Sequence, residues 1–370
     1  MNEVVRFDPT TLGIILVAGV VSHLILLVLG KKYDTLAFLL GAFFVFAPLS
    51  AAILVPGVEY IKYLRVYTSV LMVAVVVLFY RSWHLGVTSM TFLVWTTVYC
   101  GAVVWGPDPM GGALVKGFFF VVVLAGLFMA SNIRSFDHLR LVLRITALFS
   151  AIWIFMVPAG FAMGAASFFY GRLMAWGLNS NRLGHELAAM LIIAMTVALY
   201  DTSKVWRLFG YATGAGYAMV IAMTGSRASL GMAVLAGVCL TLPLVRRPGV
   251  FIGAWTAAGL IGATVLHFAS SEASERLGDL DLGTRFTEWQ YGLGLWRSSP
   301  VFGVGWALDP ESPRAASANL HSIYLQTLAE TGVLGLGFLL IILSIVVFRA
   351  IALHRQAFGD QFRDHALRQV

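Results

Sequence analysis

The strongest constraint on the fold of this chain is an uncharged apolar run over residues 333–348, which ends at Arg349. A bilayer hydrocarbon core of ~30 Å is crossed by about 20 helical residues that rise ~1.5 Å each. Counting back from Arg349 puts the far membrane face near Ala329 and Glu330. The run therefore predicts a membrane-spanning helix close to the end of the chain.

A histidine stands just before this span. If the helix starts at His321, it projects roughly 12 Å beyond the far membrane face. His321, Tyr324, Leu325 and Leu328 follow the i, i+3, i+4, i+7 spacing and would share one side of that helix. We therefore expect a titratable side chain above the lipid, on the side opposite Arg349.

Apolar runs of similar length recur along the chain, which is 59% hydrophobic and 12% charged. This composition excludes an ordinary soluble domain and predicts an all-α polytopic membrane protein with about 11–12 transmembrane helices. The predicted spans are 11–29, 35–55, 62–80, 87–105, 113–131, 139–159, 183–200, 206–223, 228–245, 250–269 and 324–348.

Basic residues on alternate loops predict the orientation of these spans, because Lys and Arg concentrate on the cytoplasmic side. This pattern divides the chain into a helix bundle of about ten spans over 1–269, an outer loop over 270–320 with an amphipathic helix, a last span over 321–348 that carries the site, and a basic cytoplasmic tail over 349–370. The net charge of +7 is then explained by anchoring at the membrane rather than by nucleic-acid binding.

Several arginines lie on the predicted outer face, where they oppose the orientation signal. Snorkelling or loop salt bridges could explain any one of them. As a group above a histidine they favour a different task, because arginine binds phosphate through a planar fork and stays charged. These arginines are Arg172, Arg182, Arg227, Arg276, Arg285, Arg297 and Arg314.

Three of the arginines stand in distinctive local sequences. In GLNSNRLGHELAAM, we expect Ser180 or Asn181 to cap the following helix, so that its positive end and Arg182 face the same space. In MTGSRASLG, Arg227 occupies a very tight turn between two spans, where an unpaired charge is costly. Arg285 lies within a segment rich in glycine and aromatic residues, LGTRFTEWQYGLGLWRSSPVFGVGW.

The spacing of aromatic residues in this last segment predicts an amphipathic helix on the membrane surface, formed by Phe286, Trp289, Leu293 and Trp296. The PVFGVGW stretch that follows predicts a loop rich in turns. The tryptophans could contact sugars, although anchoring at the membrane interface explains them equally well.

Other candidate sites have simpler explanations. His185 and Glu186 fit a helix-end pair, His267 fits a structural role, and the cysteines Cys100 and Cys239 lie in apolar runs without metal-ligand spacing. The chain has no HExxH, GxSxG or Walker pattern, so metalloprotease, serine hydrolase and P-loop ATPase activities lack support. We expect neither a metal nor a cofactor.

The segment HSIYLQTLAETGVLGLGFLL resembles the signature of the O-antigen ligase and O-antigen polymerase superfamily, which also includes bacterial protein O-oligosaccharyltransferases. The TGSRAS turn, the GTRFTEW…SPVFGVGW block and NSNRLGHELA are similar to that family in the same order, over about residues 175–350. The signature positions are His321, Ser322, Leu325, Glu330, Gly332 and Gly335.

The resemblance implies a multi-pass protein of the bacterial inner membrane, with a cytoplasmic C-terminus and a periplasmic site. It implies transfer of a glycan from undecaprenyl diphosphate to an acceptor hydroxyl, such as one on lipid A-core. By motif, His321 would be the general base, and Arg182, Arg227 and Arg285 would bind the diphosphate. Asn181, Tyr324 and Trp289 are further candidates for substrate contact. The chain is rather short for such a ligase, and eleven spans is one fewer than is usual.

Two other functions remain open from sequence. A polymerase of the same superfamily would use a second carrier-linked glycan as acceptor, and the motifs do not separate it from a ligase. A transporter would be expected to carry charges within several spans and to show repeat symmetry. Here the ionisable groups gather on one face and no internal repeat is found, which favours the enzyme.

Overall fold

The computed structural model describes residues 86–106, 109–133, 135–169, 172–176, 178–241, 283–306, 320 and 322–367, with a few isolated positions elsewhere. The predicted spans 11–29, 35–55, 62–80 and 250–269 lie outside the described residues, as do His267 and His321.

These residues are mostly helical. The elements are α1 (Val87–Gly101, extended by a 3-10 turn Ala102–Trp105), α2 (Pro109–Asn132), α3 (Phe136–Ser150), α4 (Ile152–Ala162), β1 (Ala166–Phe169), β2 (Arg172–Ala175), α5 (Ser180–Tyr200), α6 (Lys204–Met223), α7 (Arg227–Thr241), α8 (Gly283–Ser298) and α9 (Ile323–Leu367). Four stretches of the described residues are long and apolar enough to cross a membrane: Val87–Trp105, Phe136–Ala162, Ser180–Tyr200 and Ile323–Arg349. The predicted class, an all-α polytopic membrane protein, is confirmed.

The chain divides into two compact units, one of residues 1–79 and 133–280 and the other of residues 80–132 and 281–370. In the first unit, α5 packs against both α6 and α7. The close approach of α5 and α6 depends on Gly210, because a Cβ there would lie 2.6 Å from the Ala198 nitrogen. The buried core around α5 includes Trp153, Leu183, Leu187 and Tyr217.

A short antiparallel hairpin, β1–β2, lies between α4 and α5, within a segment for which only an outer loop was expected. Ala166 pairs with Ala175 at its open end and Phe169 with Arg172 beside its turn. The hairpin is fixed to the bundle by Trp176, whose indole Nε1 donates to the Met156 carbonyl at 2.9 Å. This anchoring gives Arg172 a defined place on an ordered strand.

In the second unit, α9 packs against α1 and α8. Trp95 of α1 is buried with Leu339 and Ile342 of α9 and stacks on Tyr99 at a ring-centroid distance of 5.3 Å. The helix α9 begins at Ile323, next to residue 324, where the last predicted span begins. The Ser322 hydroxyl accepts a hydrogen bond from the Leu325 amide, which explains why the chain enters the helix there.

The backbone of α9 is broken at Gly332, which has φ 65° and ψ −164°. At the break, the amides of Val333 and Leu334 donate to the carbonyls of Pro300 and Val301 instead of to their own helix. In return, the carbonyls of Ala329 and Glu330 accept from the amides of Val304 and Gly305. The PVFGVG loop thus replaces the hydrogen bonds that α9 loses, and the two sequence motifs form one structural element.

Candidate functional site

Arg182 lies in the first turn of α5. Asn179 is the cap of this helix, since its side-chain oxygen accepts from the Arg182 amide at 2.8 Å. The expectation that Ser180 or Asn181 caps the helix is therefore wrong; Ser180 is already helical and buried. Arg182 itself is exposed at the positive end of α5.

Arg227 is the first residue of α7 and follows a turn of only three residues after α6. Gly225 makes this turn possible, because its φ of 59° is one that other residues rarely adopt. The Ser226 hydroxyl accepts from that of Ser229 at 2.8 Å, so the serines are satisfied within the first turn of α7. Arg227 is exposed at a second helix N-terminus.

These two helix starts are in direct contact. A Cβ at Gly184, two residues after Arg182, would lie 2.5 Å from the Ser229 hydroxyl oxygen and 3.0 Å from that of Thr224. Glycine at 184 thus lets the first turn of α5 pack against the α6–α7 turn. The positive ends of two helices, each with an arginine, are brought to the same end of the bundle.

Arg172 joins the two segments. Its Nε donates to the Thr224 carbonyl at 3.1 Å, and one of its terminal nitrogens donates to the Asn181 side-chain oxygen at 2.6 Å. One guanidinium therefore bonds both the turn before Arg227 and the residue before Arg182. Asn181, a predicted substrate contact, has its side-chain oxygen engaged by this arginine.

The resulting cluster of Arg172, Arg182 and Arg227 is chemically suited to an anion. Guanidinium groups bind phosphate through paired N–H donors, and adjacent helix N-termini add partial positive charge. Glu186 lies one turn further along α5, and each of these arginines makes further polar or electrostatic contacts within the fold. His185 bonds the Asn181 carbonyl of its own helix, consistent with the expected helix-end role.

The remaining predicted site residues belong to the second unit. Arg285 is exposed in the first turn of α8, and Tyr324 is 49% exposed in the first turn of α9. The Trp289 indole Nε1 donates to the Leu320 carbonyl at 3.1 Å, so a sugar could be contacted only by the face of this ring. His321 follows Leu320 directly but is not among the described residues.

A buried ion pair was not anticipated from sequence. The Lys116 Nζ lies 2.7 Å from the Glu330 Oε2, and the two side chains are only 6% and 4% exposed. The ammonium also lies 3.6 Å from the centre of the Tyr99 ring, and the other Glu330 oxygen accepts from Gln326. The available signal was a single lysine inside an otherwise apolar predicted span, which is rare without a partner.

Among the described residues, no group of three or more His, Cys, Asp or Glu side chains could hold a metal ion. Arginines and hydrogen-bonding groups make up the described arrangement. Its chemistry is therefore that of anion binding and charge stabilisation.

Residues 212–340 match the family model described as O-antigen ligase. The matched range includes Arg227, Arg285, Trp289, Tyr324 and the glycine-rich loop that pairs with the break in α9, whereas Arg172 and Arg182 precede it. No curated protein and no solved structure matches the chain significantly.

Proposed function

We propose that this protein transfers a glycan from undecaprenyl diphosphate to an acceptor hydroxyl, at the periplasmic face of the bacterial inner membrane, and the match of residues 212–340 to the O-antigen ligase family model supports this proposal. The observation that carries the proposal is the cluster of arginines at the two abutting helix starts of the first unit. Such a cluster fits a diphosphate, which is an anion and also the leaving group of the transfer.

In this mechanism Arg182, Arg227 and Arg285 bind the diphosphate. Negative charge grows on this group as the bond between its oxygen and the sugar breaks. Fixed guanidiniums aimed at it stabilise the transition state more than the ground state, and this difference accelerates the reaction. The reaction then needs no metal to neutralise the leaving group.

His321 acts as the general base that takes the proton of the acceptor hydroxyl. Histidine is suited to this task because its ordinary pKa of ~6.5 leaves it largely neutral at physiological pH. Asn181, Tyr324 and Trp289 complete the contacts to the substrate. The acceptor is a sugar of lipid A-core in a ligase, or a second carrier-linked glycan in a polymerase.

The test is transfer by the purified full chain in nanodiscs, with an undecaprenyl-diphosphate glycan and each acceptor in turn. We expect transfer to persist in EDTA and to show which acceptor is used. His321→Gln should lower the rate by ~10²–10⁴, the usual effect of a general base, while binding of the donor is retained. His138→Gln is the matched control. Normal turnover of His321→Gln would remove the assignment of the base.

The arginines are tested by lysine substitution at 182, 227 and 285, which keeps the charge but loses the planar fork. We expect weaker donor binding in each variant, and full activity in all three would contradict the proposal.

The periplasmic location is tested with Ser274→Cys, which should react with an impermeant thiol reagent in intact spheroplasts. Reaction only after lysis would reverse the orientation.

A further inference from the structure

Leu320, the residue before His321, is held by both of its backbone polar groups. Its amide donates to the Gln326 side-chain oxygen at 3.1 Å, and its carbonyl accepts from the Trp289 indole at 3.1 Å. Its side chain is 3% exposed and packs against Gly292, where an added Cβ would lie 2.5 Å from a Leu320 methyl carbon. The backbone on the N-terminal side of His321 is therefore tied to both α8 and α9.

The Gln326 side chain is held in place for its bond to Leu320 because its amide nitrogen is also hydrogen-bonded. Its Nε2 donates to Glu330 one turn later, and Glu330 is in turn paired with the buried Lys116 of α2. A series of hydrogen bonds thus runs from Lys116 through Glu330 and Gln326 to the Leu320 amide. A buried carboxylate is stable only with its hydrogen-bond partners, so the pairing with Lys116 fixes the orientation of the Glu330 side chain. Glu330 in turn fixes the orientation of the Gln326 side chain.

The C-terminal side of His321 is also fixed. Ser322 caps α9 through its hydroxyl, which accepts from the Leu325 amide, and its carbonyl accepts from the Gln326 amide at 2.8 Å. A cavity of about 20 Å³, large enough for one water molecule, lies beside Gln326 and Glu330. Gln326 therefore contacts both residues that flank the proposed base.

We propose that Gln326, supported by the Lys116–Glu330 ion pair, and Trp289 are positioning residues that hold the backbone on either side of His321. This inference rests on the proposed function, since it assigns these residues to the base of the transfer reaction. In this proposal Glu330, one of the residues of the signature, does not contact the substrate. It acts by holding Gln326. It also explains why an ionic pair is kept in a buried place where apolar residues would pack.

The test compares Gln326→Met with Gln290→Met, the same substitution at an exposed position of α8. Methionine has a similar length but makes neither hydrogen bond, so Gln326→Met should release the Leu320 amide. We expect faster hydrogen exchange at that amide, and a kcat lowered about 10- to 100-fold with an unchanged KM for the donor. Gln290→Met should match the parent protein in both measurements.

A second pair of variants keeps the test independent of folding of α9. Trp289→Phe loses the indole donor but keeps an aromatic face, whereas Trp296→Phe loses a bond to the exposed Pro300 carbonyl. Positioning predicts a lower kcat for Trp289→Phe alone, because phenylalanine keeps a ring face for sugar but loses the hydrogen bond to Leu320. An unchanged kcat in both variants would overturn the positioning role of Trp289.

An unchanged rate of hydrogen exchange at the Leu320 amide in Gln326→Met would overturn the proposal that Gln326 holds this amide. Faster exchange together with a normal kcat in Gln326→Met would overturn the proposal that this hydrogen bond positions the catalytic base. If the parent protein transferred no glycan to any acceptor, the proposed function would fail by itself, while the exchange experiment would still decide whether Gln326 holds Leu320.

Discussion

The ammonium of Lys116 lies 2.7 Å from the carboxylate of Glu330, and both side chains are almost completely buried. The two residues are 214 positions apart, so this pair joins α2 to α9. Two buried charges are expensive to desolvate and are retained only with good geometry and further hydrogen bonds. Here the Tyr99 ring and the Gln326 amide provide those contacts.

Lys116→Met should leave the Glu330 charge buried without its partner. We expect a loss of about 3–5 kcal/mol in the free energy of unfolding, measured by denaturation in detergent. The double variant Lys116→Met/Glu330→Gln removes both charges and keeps a partner for Gln326. It should be more stable than Lys116→Met alone, and equal stability would show that the charges do not interact.

Gly332→Ala should prevent the normal break in α9. The observed φ and ψ of Gly332 are essentially restricted to glycine, and a Cβ there would lie 2.2 Å from the Val301 carbonyl oxygen. Strain of the backbone alone costs about 1–3 kcal/mol, and the clash adds to it. The thermal midpoint and the yield of monodisperse protein should both fall.

Gly337→Ala is the control for this prediction, because it lies on the same helix and a Cβ there meets nothing within 4 Å. It should leave stability nearly unchanged. Equal behaviour of the two variants would mean that the break at Gly332 does not matter for folding.

Arg172→Lys should weaken binding of the diphosphate donor, because Arg172 joins the two helix starts that carry Arg182 and Arg227. One ammonium replaces the fork that bonds both Thr224 and Asn181, so the starts of α5 and α7 lose their shared tie. Loss of one such charged hydrogen bond corresponds to about a 10-fold change in affinity. Donor affinity is measured by titration in nanodiscs, with Arg349→Lys, at the exposed position that ends the last predicted span, as the control. Parent-like affinity in Arg172→Lys would contradict the role of this tie.

Acid should weaken the pairing of Arg144 with Asp201 at the α5–α6 connection. Two hydrogen bonds of 2.7 and 2.6 Å from Arg144 hold the pKa of the Asp201 carboxyl below its usual value. The ion pair therefore stabilises the folded state above the ordinary aspartate pKa of ~3.9, and this contribution is lost as the pH falls through the lower folded value.

Asp201→Asn should accordingly cost about 1.5–3 kcal/mol at neutral pH and reduce the loss of stability on acidification. The matched control is Asp137→Asn, whose exposed pair with Arg140 should contribute little. Unfolding curves at about pH 7 and about pH 2, on either side of the range in which the contribution is lost, test both variants. An unchanged pH dependence in Asp201→Asn would show that this carboxylate is not responsible.

Local pattern was sufficient to predict several helices and the turn at Arg227. The run ending at Arg349 and the stretch before Asp201 are apolar over lengths that only a membrane accommodates, and the structure has helices there. The prediction of the cap of α5 failed, because Asn179 rather than Ser180 or Asn181 accepts the hydrogen bond from the first turn of that helix. Helix boundaries depend on a few hydrogen bonds, whereas the existence of a helix depends on many residues.

The sequence by itself determined the membrane class of this protein and its resemblance to the O-antigen ligase family, because both depend on residue types at short, fixed spacing. Only the tertiary structure decided that Arg172 joins Thr224 to Asn181, that Gln326 holds Leu320, and that Lys116 pairs with Glu330. Two of these contacts, Arg172 with Thr224 and Lys116 with Glu330, connect residues 52 and 214 positions apart along the chain, and their partners are selected by the packing of helices. Local periodicity carries no information about which distant side chain will neutralise a buried charge.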